Sequence, residues 1–98
     1  MRYESVVLRH LKTVKLDVTL SDDCRVKDIV ISGDFFAYPE DAIERLEGLI
    51  KGCEDPHCVE RAFSAISPST ILGVDVEKLK LKVIEILERC RKQNANNL

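Results

Sequence analysis

Val14-Lys15-Leu16-Asp17-Val18-Thr19-Leu20 places an apolar side chain at every second position, with Lys15, Asp17 and Thr19 between them. Successive side chains of a strand point to opposite faces, so this segment has one face to bury and one to wet. That pattern suits an antiparallel sheet covered on one side only. Upstream, Tyr3 to Arg9 carries Val6, Val7 and Leu8 in a β-compatible run, and His10 and Leu11 fall near the connection. Downstream, Ser21-Asp22-Asp23 is turn-forming, because short polar side chains bond to nearby backbone groups. A third strand follows over Arg25 to Ser32. Its phase is irregular: Val26 shares the parity of Val30, not that of Ile29 and Ile31. A bulge near Lys27-Asp28 restores Val26 to the face of Ile29 and Ile31.

After Tyr38 the period changes from two to that of a helix. Pro39 suits a first helical position, where its missing N–H is not needed, and Glu40, Asp41 and Glu44 favour the positive end of the helix dipole. Ile43, Leu46, Leu49 and Ile50 form the core-facing stripe, and Gly52 ends the helix in a left-handed conformation. Asp55 caps a second helix with Pro56 at its first position, and Val59, Ala62, Phe63 and Ile66 are its buried face. Ser67-Pro68-Ser69 stops it. Asp75 caps a third helix, with Val74 and Leu79 placed as a hydrophobic staple and Leu79, Val83, Ile86, Leu87 and Cys90 at helical spacing. Gln93 to Leu98 reads as a frayed tail. The order β-β-β-α-α-α predicts an α+β, two-layer fold. A three-stranded antiparallel meander is followed by three helices packed on one face, burying Val14, Leu16 and Val18 against the first and third helices.

At 98 residues, 45% of them hydrophobic and 33% charged, the chain is one domain over 1–98 with room for a single small core. A formal net charge of −2 excludes a strongly cationic polymer binder. No apolar run reaches the ~18–20 residues of a membrane span, and Met1 to Ser5 lacks the apolar core of a signal peptide. A cytoplasmic protein is the expectation, without nucleic-acid or membrane partners. The four cysteines, Cys24, Cys53, Cys58 and Cys90, are then expected as reduced, mostly buried thiols, with Cys90 packing as a small hydrophobe.

Chemistry-bearing motifs are few. Cys53-x4-Cys58 with His57 is the one metal-like cluster, but its spacing exceeds the usual ~2–4 residue knuckle and no second cysteine pair follows. No metal site is expected. A Cys58–His57 nucleophilic pair fails on geometry, since helix neighbours point about 100° apart. The span Asp34 to Glu60 has a net charge of −6 and Lys78 to Lys92 one of +4, which reads as solvated helix faces or weak steering of a charged partner. There is no Walker loop, dinucleotide-binding glycine fingerprint or nucleophile elbow. The densest segment is Gly33-Asp34-Phe35-Phe36-Ala37-Tyr38-Pro39, where three of five aromatic residues fall within four positions. These rings either plug the end of the sheet–helix core or present a docking edge. Both hold if one ring points inward and another outward.

Ile31-Ser32-Gly33-Asp34-Phe35-Phe36, continued by Tyr38-Pro39-Glu40-Asp41-Ala42-Ile43 to Leu46 and Gly52, resembles the small C-terminal domain of lipoate–protein ligases. The nearest form is the archaeal one, in which that domain is a separate chain. The resemblance spans Lys12 to Ile66, more loosely the last helix, and extends in fold to the SufE/NifU group. It implies an accessory subunit, heterodimeric with a catalytic large subunit and indirectly serving lipoyl-acceptor domains. In that family the large subunit binds lipoate and Mg-ATP and forms lipoyl-adenylate. The small chain alone is then expected to bind no cofactor and to supply no catalytic residue. Gly33, Asp34, Phe35, Phe36, Tyr38 and Pro39 are the expected partner interface. A SufE/NifU-like sulfur or iron–sulfur assembly accessory is the alternative, and it would rely on a reactive thiol at Cys53 or Cys58.

Overall fold

The computed structural model describes residues 1–9, 12–67 and 69–96. His10, Leu11, Pro68, Asn97 and Leu98, including the first connection and part of the Ser67-Pro68-Ser69 stop, lie outside the described residues. Three strands, β1 (Arg2–Arg9), β2 (Thr13–Leu20) and β3 (Val26–Gly33), form an antiparallel sheet in the order β1-β2-β3. Val14, Leu16, Val18 and Leu20 are all buried, and they face the layer formed by helices α1 (Ala42–Ile50), α2 (Pro56–Ala65) and α3 (Val76–Asn96). The α+β meander with helices on one face is therefore as the sequence indicated.

The bulge falls where the pattern demanded it. Thr19 pairs with Asp28 and Leu20 with Val26, so Lys27 is the extra residue. Val26, Ile29 and Ile31 consequently share the buried face, while Val30 stays exposed. Helix α3 lies antiparallel along β1: Arg89 pairs with Glu4 at 3.3 Å and Arg2 donates to the Gln93 amide oxygen near the far end. Asp75 caps α3 by accepting from the Lys78 N–H at 3.1 Å. The helix runs on to Asn96, through much of the segment expected to fray.

Caps elsewhere follow the local chemistry. Asp55 accepts from the Cys58 N–H at 2.9 Å with Pro56 in the first turn of α2. Gly52 takes φ +90° just beyond α1, the left-handed conformation expected of it. Its N–H donates to Val26 O at 2.8 Å, and the Val26 N–H donates to Cys53 O at 2.9 Å. The α1–α2 connection thus closes the open edge of β3, which would otherwise expose unpaired backbone.

Four expectations need correction. Pro39 does not start α1: it follows a cis Tyr38–Pro39 bond, its carbonyl accepts from the Ala42 N–H at 3.0 Å, and the helix begins at Ala42. The cause is Tyr38, which is held in an additional strand, so the chain must turn before it can coil. Leu49 lies at the margin of the α1 stripe and stays 46% exposed, whereas Ala42 is buried in its place. The meander is joined by a two-stranded ribbon, β4 (Phe36–Tyr38) with β5 (Thr70–Leu72). Finally, the cysteines are not thiols. Cys24 is bonded to Cys90 and Cys53 to Cys58, leaving none free. Sequence spacing does not fix such pairing, which depends on Cα atoms meeting within about 7 Å in the fold.

Candidate docking ribbon

The aromatic segment begins where β3 ends. A Cβ at Gly33 would collide with the Thr13 carbonyl oxygen, so only glycine lets the two strand ends approach this closely. Asp34 follows, exposed, and Phe35 is partly buried against the main core. The chain then enters β4, whose three residues pair in register with β5: Phe36 with Leu72, Ala37 with Ile71, and Tyr38 with Thr70.

Strand alternation divides this ribbon. Ala37 and Ile71 face inward and pack against the core. Phe36, Tyr38 and Leu72 share the outer face and are 58%, 65% and 58% exposed. One ring is therefore inward (Phe35), as the core-plug reading requires, and two are outward and exposed (Phe36, Tyr38). Pro39 and Asp34 are exposed at the two ends of β4. Gly33 contributes backbone shape, not surface chemistry. Sequence reading missed Leu72, because its place beside Phe36 exists only through a pairing between segments 36 residues apart.

The ribbon is anchored to α1. Arg45 reaches Asp41 at 3.7 Å and donates to the Ser69 hydroxyl at 3.3 Å, tying the start of the helix to the approach to β5. Between β4 and α1 lies a groove of about 470 Å³ lined by Phe35, Phe36 and Ile43 together with Glu40, Glu44 and Glu47. Glu47 is engaged, accepting the Ile31 N–H at 2.7 Å and so capping another open donor of β3. The lining combines apolar side chains with acidic ones, which is chemistry for a side chain that is aliphatic along its stem and cationic at its tip.

A larger hollow, about 610 Å³, lies on the other side of the ribbon between α2 and α3, where Phe63 and Ile71 meet Glu60, Glu77 and Lys80. Lys80 pairs with Glu77 there at 2.9 Å, so its charge is already matched. Among the described residues, no group of three His, Cys, Asp or Glu side chains gathers as a metal-binding set. Nor is any helix of the described residues long and apolar enough to cross a membrane.

No protein-family model matches the chain. By sequence it is similar to "Lipoate-protein ligase A subunit 2" of Thermoplasma acidophilum, with 61% identity over 36 residues. That match spans 36% of this chain and 38% of the relative's length. By structure it is similar to a chain from the bipartite lipoate protein ligase and its E2 lipoyl domain, also from Thermoplasma acidophilum. There the identity is 27% and the TM-score 0.64, over 88% of this chain and 94% of the other. The resemblance carried by the Ile31 to Gly52 motif is thus borne out by two likenesses, one local in sequence and one nearly end to end in structure.

Proposed function

We propose that this chain is the accessory subunit of a bipartite lipoate–protein ligase, acting with a large catalytic chain in the ATP-dependent activation of lipoate to lipoyl-adenylate. The observation that carries the reading is the structural likeness over 94% of a chain of the Thermoplasma ligase system, since a small domain matched nearly end to end shares the arrangement of its elements with its counterpart. Lipoate and Mg-ATP are ligands of the large chain in this reading, and a lipoyl-acceptor domain is served indirectly.

The mechanism is one of arrangement. Adenylation requires a carboxylate, a nucleotide phosphate and a metal to be aligned with water excluded. A small subunit that binds the closed form of the large chain better than its open form shifts the population toward that form, and it need not donate a reacting group. The outer face of the β4–β5 ribbon, with Phe36, Tyr38 and Leu72, together with Asp34 and Pro39 at its ends, is the docking surface in this proposal. Exposed aromatic side chains on a rigid pair of strands are suited to anchoring a protein interface.

The test is reconstitution. The chain alone is expected to form no lipoyl-adenylate from lipoate and ATP, and the large chain alone little. Mixing the two should restore lipoate-dependent pyrophosphate release and transfer to an acceptor domain. Equal activity with and without this chain would overturn the reading.

A further inference from the structure

The two disulfides are built differently. Cys24 and Cys90 are 66 residues apart, join the β2–β3 turn to α3, and are 1% and 3% exposed. Cys53 and Cys58 are five residues apart, join the α1–α2 connection to the first turn of α2, and include one partly buried partner, Cys58. We propose that Cys53–Cys58 is a thiol–disulfide exchange site that accepts electrons from a dithiol, while Cys24–Cys90 is a permanent cross-link.

Access separates the two bonds. A reductant reaches Cys24–Cys90 only if the helix layer lifts from the sheet, a large-scale opening. It reaches Cys58, which is only partly buried, from solvent or after a local opening of the connection and the first turn of α2. In the exchange, a thiolate of the dithiol attacks Cys58 Sγ. The Cys53–Cys58 bond breaks, and Cys53 Sγ leaves with the electron pair and takes a proton from solvent. The second thiol of the reductant then attacks its own sulfur in the mixed disulfide, and Cys58 leaves as a thiolate. Two electrons pass from the dithiol, which becomes a cyclic disulfide, to the pair, which becomes two thiols.

A dithiol is the fitting reductant because Cys53 stays poised to re-close. Its Cα lies 5.5 Å from that of Cys58, within bonding range, and the segment carrying Cys53 is held to β3 and the turn before it. Gly52 and Cys53 bond to the backbone of Val26, while Lys51 pairs with Asp28 at 3.3 Å and Glu54 with Arg25 at 3.2 Å. A monothiol caught on Cys58 is therefore expelled by Cys53. A reductant with a tethered second thiol competes with that return.

The test is graded reduction of the folded, full-length chain with dithiothreitol, without denaturant, followed by alkylation and mass mapping of each cysteine. Cys53 and Cys58 should be labelled at a dithiol concentration about tenfold below that needed for Cys24 and Cys90, with the circular dichroism unchanged. Oxidised dithiothreitol should re-form the same bond, and glutathione at equal thiol concentration should label far less. A Cys53→Ser, Cys58→Ser variant should lose the low-concentration labelling and keep its fold. Simultaneous labelling of all four cysteines, labelling only on unfolding, equal reduction by glutathione, or free thiols at 53 and 58 in the oxidised protein would each overturn the proposal. None of these readouts depends on ligase activity, so they leave the functional reading to its own test.

Discussion

The central strand β2 and the two-stranded ribbon handle apolar side chains in opposite ways, although the outer sheet strands also leave Tyr3, Val7 and Val30 exposed. In the sheet, Val14, Leu16, Val18 and Leu20 all turn toward the helices and are buried, and the opposite face of β2 carries Lys15, Asp17 and Thr19. In the ribbon, the inward positions are Ala37 and Ile71, while Phe36, Tyr38 and Leu72 point to solvent. Stability asks for the first arrangement. The second leaves apolar area in water at a loss of about 25 cal/mol per Å², which is understandable where a partner removes that area from water. The contrast teaches that the sheet serves the fold, while the ribbon keeps outside the core the surface that the proposed function assigns to docking.

Four changes would break or sharpen that contrast. The largest effect is expected from Cys24→Ala with Cys90→Ala, which removes a cross-link closing 66 residues of chain. A loop of that length implies about 4 kcal/mol of lost stability, read as a fall in the urea midpoint under oxidising conditions. Next comes Leu16→Ala, at a fully buried position in the middle of β2, with an expected loss of about 3 kcal/mol from transfer and cavity terms. A loss below about 1 kcal/mol would mean that the sheet is not the stabilising half of the molecule.

The ribbon should respond in the other sense. Phe36→Ser with Leu72→Ser is expected to change stability by less than about 0.5 kcal/mol. The same variant should weaken association with a large ligase chain about tenfold or more, measured by titration calorimetry. A large loss of stability with unchanged association would reverse the assignment of roles.

The smallest effect concerns the wet face of the sheet, where the Tyr3 hydroxyl donates to the Asp17 carboxylate. That bond, helped by Ser5 and Lys15 and opposed by desolvation, holds the Asp17 carboxyl below its ordinary value. A depressed carboxyl contributes stability above the carboxylate's unfolded value and loses it as pH falls through the folded one. Tyr3→Phe should therefore raise the Asp17 titration midpoint toward the usual carboxylate range in a carbon-detected NMR titration. An unchanged midpoint would show that the hydroxyl is not the main cause.

How much of this was legible beforehand varied with the range of the interaction. The Leu20–Val26 bulge could be read because a parity conflict between Val26 and Ile29-x-Ile31 has one simple remedy within a single strand. Asp55 and Asp75 could be read because a cap is decided within four residues. The ribbon could not, since three-residue strands are too short to show a period. Its existence also depends on the meeting of Phe36 and Leu72, which helices α1 and α2 separate along the chain. The aromatic segment was visible as a candidate surface, but which ring turns inward was settled by Ala37 facing Ile71. The cysteines misled for a related reason: the inference from compartment to reduced thiols ignores the geometry that brings two sulfurs together.

The amino-acid order by itself determined the period of each long element, the Asp55 and Asp75 caps, the bulge and the motif that carries the ligase resemblance, because all of these are set by side chains within a few positions of one another. Only the tertiary structure decided the β4–β5 pairing, the start of α1 at Ala42, and the joining of Cys24 to Cys90 and Cys53 to Cys58. Each of those depends on the folding of intervening chain to bring the partners into contact or on the constraint that such a contact places on its neighbours.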